Sequence, residues 1–193
     1  MIELVQISKA YGEKAVISDF SLTLPDRGIL ALTGKNGSGK TTLLRLLAGL
    51  EEPDAGQIRM PVQTRVSYVF QDYRLLPSLT VRQNLLLVLE KSRRQEADTW
   101  LQAVGLAAYA DALPASLSGG MRQRTALARA LAYGGELLLL DEPFAALDTT
   151  WKPRMMDEVL RAAETGCVLL TTHDPSDLSR LGCSVVSLSD SGG

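Results

Sequence analysis

The segment Gly34-Lys35-Asn36-Gly37-Ser38-Gly39-Lys40-Thr41 fits the pattern G-x-x-x-x-G-K-[ST] at every fixed position. Chemistry at phosphate needs backbone N–H groups close to the oxyanions, a fixed cation and an oxygen ligand for a divalent ion. Gly34, Gly37 and Gly39 let the chain wrap a β-phosphate, Lys40 neutralises the β- and γ-oxygens, and Thr41 offers its hydroxyl to Mg2+. Lys35, Asn36 and Ser38 lie within the same loop and Thr42 directly after it, so all four are candidate nucleotide-binding positions.

A second group lies at 137–143, LLLLDEP. Four leucines describe a buried central strand, and its end delivers Asp141 and Glu142 to the edge of a sheet. Adjacent carboxylates leaving a core strand are costly unless positive charge sits beside them. Mg2+ with ATP phosphates meets that need: Asp141 holds the ion through water and Glu142 polarises the attacking water. A third group is LSGGMRQR at 117–124, where Ser118, Gly119 and Gly120 precede a helix-forming run at 121–132. A Ser-Gly-Gly lead-in leaves the first N–H groups of the helix open, and a helix start carries partial positive charge, which makes an anion-binding tip. With no lysine of its own, this tip reads as half of a composite site.

These groups need strands and helices to hold them. Phe20, Leu22 and Leu24 alternate with Ser21 and Thr23 before a turn at Pro25-Asp26, and the first thirty residues read as strands. GILALT at 28–33 is a buried strand feeding the phosphate loop, and 40–50 is a helix with leucines on nearly every side. Short strands fit at 57–60 and 66–70. From 80 to about 110 the pattern is helical, TVRQNLLLVLEK and then RRQEADTWLQAVG, with Gly105 as a stop. Further elements follow: a helix from about Pro153, a strand at 167–171, a short helix from Pro175 and a strand near 183–188. Alternating strands and helices predict a mainly parallel sheet covered on both faces. The tail SDSGG, 189–193, is expected to fray.

Composition narrows the classes. The chain has 193 residues, 46% hydrophobic and 22% charged, the profile of one globular domain. A net charge of −2 with no basic block argues against nucleic acid as a partner. The opening MIELVQISKAYGEK lacks the cationic start and apolar core of a signal peptide. No apolar run approaches the roughly 18 residues that cross a bilayer, so a membrane role is expected to be peripheral. Cys167 and Cys183 each open a β-like run and read as small buried residues in a reducing compartment, with no disulfide or metal spacing.

The phosphate loop, LSGGM and LLLLDEP, in that order, resemble the ATP-binding cassette (ABC) ATPases. The resemblance covers almost the whole chain and implies an α/β P-loop NTPase fold. That fold has a RecA-like, mainly parallel sheet, an N-terminal antiparallel β-subdomain and an inserted α-helical subdomain at approximately 74–133, in a single domain 1–193. In this family the LSGGQ-like signature caps ATP held by a partner subunit, so Ser118, Gly119 and Gly120 are expected to bind nucleotide across a head-to-tail dimer. Gln71, between VSYVF and DYRLLP, stands where the family has a glutamine contacting Mg2+ and water, on a loop that touches a membrane subunit. Tyr73, Leu75, Leu76 and Pro77 suit that contact or cap the helical insertion. His173, the only histidine, stands in TTHDP where the family senses the γ-phosphate. Tyr11 stands where an aromatic ring stacks on adenine, and Ala145-Ala146-Leu147-Asp148 resembles the loop coupling the two sites of a dimer. Phe144 reads as packing.

The resemblance implies a catalytic set of Glu142, His173 and Gln71, and a Mg2+ set of Thr41, Gln71 and Asp141. Its implied partners are a transmembrane permease, a second copy or a second ATPase subunit and, indirectly, a solute-binding protein. The expected place is cytoplasmic, on the inner face of the cell membrane. The chain departs from the family pattern in a short stretch between Thr42 and Gln71, which suggests a trimmed β-subdomain, and no regulatory domain is expected after His173. Met121-Arg122-Gln123-Arg124 and the RLLP after Gln71 look most like nitrate, sulfonate and taurine importer ATPases. Two alternatives stay open: a non-transport ABC ATPase of translation or DNA maintenance, and a module that senses nucleotide without turnover. Members of the first usually carry paired cassettes or a long coiled coil, and the second usually loses Glu142 or His173. Phosphate release by the purified chain separates an enzyme from a sensor.

Overall fold

Strand β1 (Ile2–Tyr11) turns at Gly12 into β2 (Lys14–Leu24), and the two pair antiparallel from Ile2 against Leu24 to Tyr11 against Lys14. After β3 (Gly28–Thr33), α1 (Lys40–Leu47) leads to β4 (Ala55–Arg59), which joins the free side of β1, so the small antiparallel sheet runs β2-β1-β4. The chain continues through β5 (Val66–Val69), α2 (Val81–Leu86), α3 (Glu96–Ala103), α4 (Gly119–Tyr133) and β6 (Leu137–Asp141). It ends with α5 (Trp151–Ala163), β7 (Cys167–Thr171), α6 (Pro175–Leu181) and β8 (Ser184–Ser187). β5-β6-β7-β3-β8 form a second sheet in which every pairing is parallel. This computed structural model describes residues 1–188, and the expected fraying of 189–193 lies outside the described residues.

The period-2 geometry of strands explains why the central runs are apolar throughout. In β6, Leu137 and Leu139 pack with α1 and the antiparallel sheet, while Leu138 and Leu140 pack with α2, α4 and α5. β7 repeats the division, with Cys167 and Leu169 on the first side and Val168 and Leu170 on the second. Each fully buried leucine stabilises the fold by about 1.5–3 kcal/mol. Both faces are therefore covered, and only the strand ends are free to carry a site. Cys167 lies in this core, where burial pushes its thiol up to about 11.

The strand expected at 57–60 runs 55–59 and that expected at 66–70 stops at Val69, and three helix boundaries also differ from the sequence expectation. The helix expected over 40–50 stops at Leu47, because Gly49 takes φ +67 and ends it, the usual glycine stop. The helix read through TVRQNLLLVLEK ends at Leu86, leaving Leu87 exposed. α5 starts at Trp151, ahead of Pro153, because the Asp148 carboxylate accepts the N–H groups of Thr150 and Trp151, both at 2.9 Å. Proline is tolerated in a first helical turn, where its missing N–H is not needed. Phe144 is buried in the core. Tyr73 and Leu75 pack against the helical side, while Leu76 and Pro77 face solvent.

Candidate active site

Parallel strands leave their carboxyl ends on one edge, the usual place for a ligand in such sheets. β3 ends in the phosphate loop, β5 leads to Gln71, β6 ends in Asp141-Glu142 and β7 runs through Thr171 towards His173. These ends open into a cleft of about 600 Å3 whose walls include Tyr11, Lys40, Thr41, Gln71, Glu142 and His173. Asn36, Gly37, Gly39, Thr42 and Asp141 also border it, and so do Lys14 and Val16 of β2. No sequence signal singled out those last two, since their place depends on how β2 folds over α1.

The loop geometry follows from its glycines. Gly39 sits at φ +92, and a Cβ there would come within 2.9 Å of Ile17 and 3.0 Å of Val16. At Gly34, φ +145, a Cβ would come 2.6 Å from the Leu188 carbonyl and from Ser38 Oγ. Any side chain at either position would force the loop open. Nζ of Lys40 donates to the carbonyls of Gly34 at 2.8 Å and Lys35 at 2.9 Å, so the cation spans the loop. The first turn of α1 has no side-chain cap, which leaves its N–H groups for an anion. Ser38 Oγ is buried without a hydrogen-bond partner, an orphan polar atom within the cradle.

Asp141 is 3% exposed, and both of its oxygens are held. The hydroxyl of Thr41 donates to Oδ2 and that of Thr171 to Oδ1, each at 2.8 Å. The Thr171 oxygen also accepts the N–H of Glu142 at 2.9 Å. Glu142 has φ +50, a left-handed conformation that costs a non-glycine residue energy and turns its carboxylate out of the strand line. Its Oε1 lies 3.1 Å from Nε2 of His173. Thr171 was visible only as part of the Thr-Thr ahead of His173; its central place emerges from the pairing of β6 with β7.

Tyr11, about half exposed, donates its hydroxyl to the Glu51 carboxylate and lies 3.5 Å from Thr42 Oγ1. Glu51 in turn pairs with Arg45 of α1 at 3.3 Å. Beyond His173, the Lys152 ammonium bridges Asp174 at 2.6 Å and Asp177 at 2.5 Å, and the Thr172 hydroxyl donates to Asp177 at 2.8 Å. The hydrogen bonds from Lys152 and Ser176 hold the Asp174 carboxyl well below the usual range.

Ser118, Gly119 and Gly120 do not border this cleft. Ser118 caps α4 by accepting the Met121 N–H at 3.2 Å. A Cβ at Gly120 would come 2.9 Å from the Ala146 carbonyl, so the tip packs against the 145–148 loop. The tip and the phosphate loop are separate surfaces of one chain.

Residues 17–145 match the ABC transporter family. The chain belongs to that family. This ABC ATPase is 46% identical over 191 residues to the aliphatic sulfonates import ATP-binding protein SsuB of Granulibacter bethesdensis, covering 97% of this chain and 79% of that one. The aliphatic sulfonates import ATP-binding protein SsuB 1 of Nocardia farcinica is 45% identical over 191 residues, covering 97% of this chain and 77% of that one. Among solved structures, the dimeric post-hydrolysis state of the ATP-binding cassette MJ0796 bound to ADP and Pi superimposes with a TM-score of 0.86 at 26% identity. The match covers 98% of this chain and 95% of that one. The P-loop NTPase fold with its ATP-hydrolysing activity, expected from the motifs, is therefore that of the chain, which is the energy-coupling ATPase of an ABC transporter. Among the described residues no helix is long and apolar enough to cross a membrane.

Proposed function

We propose that this ATPase drives uptake of an aliphatic sulfonate through a membrane permease on whose inner face it docks, as a head-to-tail dimer with two ATP at the interface. The names of relatives at 43–46% identity support the importer and the solute class. The cassette itself does not choose the solute; the permease and a solute-binding protein do. A non-transport role in translation or DNA maintenance has no support among these relatives.

The hydroxyl and carboxylate oxygens at Thr41 and Asp141 suit a hard divalent ion. Among the described residues no group of three or more His, Cys, Asp or Glu side chains is close enough to hold a metal, so Mg2+ would take its other ligands from phosphate, water and the Gln71 amide. When bound, Mg2+ neutralises charge on the β- and γ-phosphates. Lys40 and the α1 N–H groups bind the same oxygens, and the Tyr11 ring offers a face for adenine.

Glu142 accepts a proton from the water that attacks the γ-phosphorus, and the bond to the β-bridging oxygen breaks, yielding ADP and phosphate. His173 Nε2 keeps the Glu142 carboxylate aimed, and its single N–H would turn to a γ-phosphate oxygen when ATP is bound. The single observation that carries this assignment is the run Thr41–Asp141–Thr171–Glu142–His173, in which each group is fixed by the next. Glu142→Gln should bind ATP and accumulate the ATP-bound dimer while losing roughly 10²–10⁴-fold in turnover, the range of a lost general base. In vesicles carrying the permease, uptake of a labelled alkanesulfonate should stop with it. Phosphate release near the wild-type rate removes Glu142 from the role; hydrolysis without sulfonate uptake removes the solute class.

A further inference from the structure

Residues 71–80, which carry Gln71 away from β5, form no helix or strand, so their shape must be imposed from outside. Two polar side chains impose it, one buried and one half-buried. Asn84 of α2 is wholly buried, and its amide nitrogen donates to the carbonyls of Leu76 at 3.2 Å, Leu79 at 3.0 Å and Thr80 at 3.0 Å. Its amide oxygen accepts the Leu76 N–H at 2.9 Å. Arg129, toward the C-terminal end of α4, donates from Nη2 to the carbonyls of Tyr73 at 3.1 Å and Arg74 at 2.8 Å, and from Nη1 to the Asn84 oxygen at 3.3 Å.

No carboxylate raises the Arg129 guanidinium among the described residues, and burial alone pushes it down from the ordinary arginine value. Partial desolvation of a charge is costly, and among protein groups the two carbonyls and the amide offset that cost. The two residues whose carbonyls it holds are the ones with strained backbone: Tyr73 at φ +62 and Arg74 at φ +42. Consecutive left-handed non-glycine residues persist only where the surroundings over-determine them. The same loop also meets the other end of α4, since Tyr73 Oη lies 3.9 Å from where a Cβ on Gly119 would stand. The loop behind Gln71 is thus fastened to the signature helix through Arg129 and lies beside its N-terminal tip.

We propose that Arg129 is a positioning residue for ATP hydrolysis, fixing Gln71 in the cleft by forking onto the Tyr73 and Arg74 carbonyls from the signature helix. The inference rests on the reading of Gln71 as a group of the active site. A displacement of α4 then reaches Gln71 through these hydrogen bonds, so movement of the signature tip and the placing of Gln71 are one event. Lysine cannot replace the fork, because an ammonium is a point donor whereas the planar guanidinium spans both carbonyls and the amide at once.

The test uses the full chain and a double-mutant cycle on phosphate release. Arg129→Lys should lower kcat roughly ten- to a hundredfold, the scale on which about 1 Å of misplacement acts, and leave ATP affinity at Lys40 and Thr41 unchanged. In a Gln71→Ala background the same change should have no further effect on kcat, whereas a loss of general fold integrity would multiply with it. Arg129→Gln, a neutral side chain able to reach one carbonyl, goes through the same cycle and carries the test should the lysine variant fail to fold. Multiplying losses, or an unchanged kcat in both Arg129 variants, overturns the inference alone. A wild-type kcat in Gln71→Ala overturns the reading of Gln71 and the inference with it.

Discussion

Oε1 of Glu142 lies 3.1 Å from Nε2 of His173, and the left-handed turn that aims this carboxylate is pinned by Thr171 from the next strand. Glu142 comes from the end of β6 and His173 from beyond β7, so their distance is set by the parallel pairing of those strands, Asp141 against Thr171. A side chain on a strand end is more precise than one on a long loop, and the site depends on that precision. His173→Ala should therefore lower kcat strongly while leaving the thermal midpoint and ATP affinity near wild type, since the ring is partly exposed and packs little. An unchanged rate of phosphate release returns His173 to an ordinary surface role.

Thr171→Val tests the pin itself. Valine keeps the shape and removes the hydroxyl, stranding Oδ1 of buried Asp141 and the N–H of Glu142. Each stranded group costs about 1–3 kcal/mol, so the urea midpoint should fall. Turnover should fall too, and more than ATP binding, because Lys40 is untouched. A variant that loses stability but keeps kcat would show that Thr171 holds the fold and not the site.

Much of this site was legible because its parts are local in sequence. The phosphate loop is eight consecutive residues, LLLLDEP couples a buried strand to its carboxylates, and the Ser-Gly-Gly tip is a helix start. Their spacing carries the chemistry before any tertiary contact forms. What could not be read is what depends on distant partners. Asn84 within TVRQNLLL looks like a solvated helical position, yet it is wholly buried by loop carbonyls. Arg129 reads as an ordinary helical cation, and the carbonyls that define it lie at Tyr73 and Arg74. The leucine run that hid the end of α2 has the same cause, since leucine favours helix at every position and only packing decides where the helix stops.

The bridge beyond His173 has a pH signature. Lys152 and Ser176 depress the Asp174 carboxyl below its ordinary 3.8 in the folded chain. A depressed acid stabilises the fold above its unfolded value and loses that contribution as pH falls through the folded one. The thermal midpoint of wild type should therefore exceed that of Asp174→Asn at neutral pH, with the difference shrinking below pH 3.8. Because Asp174 is exposed, added salt should narrow the difference as well. A gap that stays constant through the acid range, or no gap at neutral pH, assigns the bridge no part in stability.

The proposed composite site would distinguish this enzyme from a P-loop ATPase acting alone, and Gly119 is the residue with which to test it. A Cβ at Gly120 would collide with the Ala146 carbonyl at 2.9 Å, so a substitution there disturbs the chain's own 145–148 loop. At Gly119 the nearest atom is Tyr73 Oη at 3.9 Å, an ordinary contact, and the φ is not one that needs glycine. Gly119→Asp should thus fold normally and bind ATP through Lys40 and Thr41. What it adds is a carboxylate at a helix tip that, in the proposed head-to-tail dimer, would face the γ-phosphate of the partner's ATP. Charge-assisted hydrogen bonds from such a tip contribute roughly 1.5–3 kcal/mol each, and replacing them by repulsion is enough to keep two subunits apart. Sedimentation with Mg-ATP in a Glu142→Gln background should show the parent as a dimer and the Gly119→Asp form as a monomer, with hydrolysis lost when Glu142 is restored. If the double variant dimerises as readily as its parent, Ser118, Gly119 and Gly120 are not the clamp over the partner's nucleotide, and the cleft of one chain must be sufficient for hydrolysis.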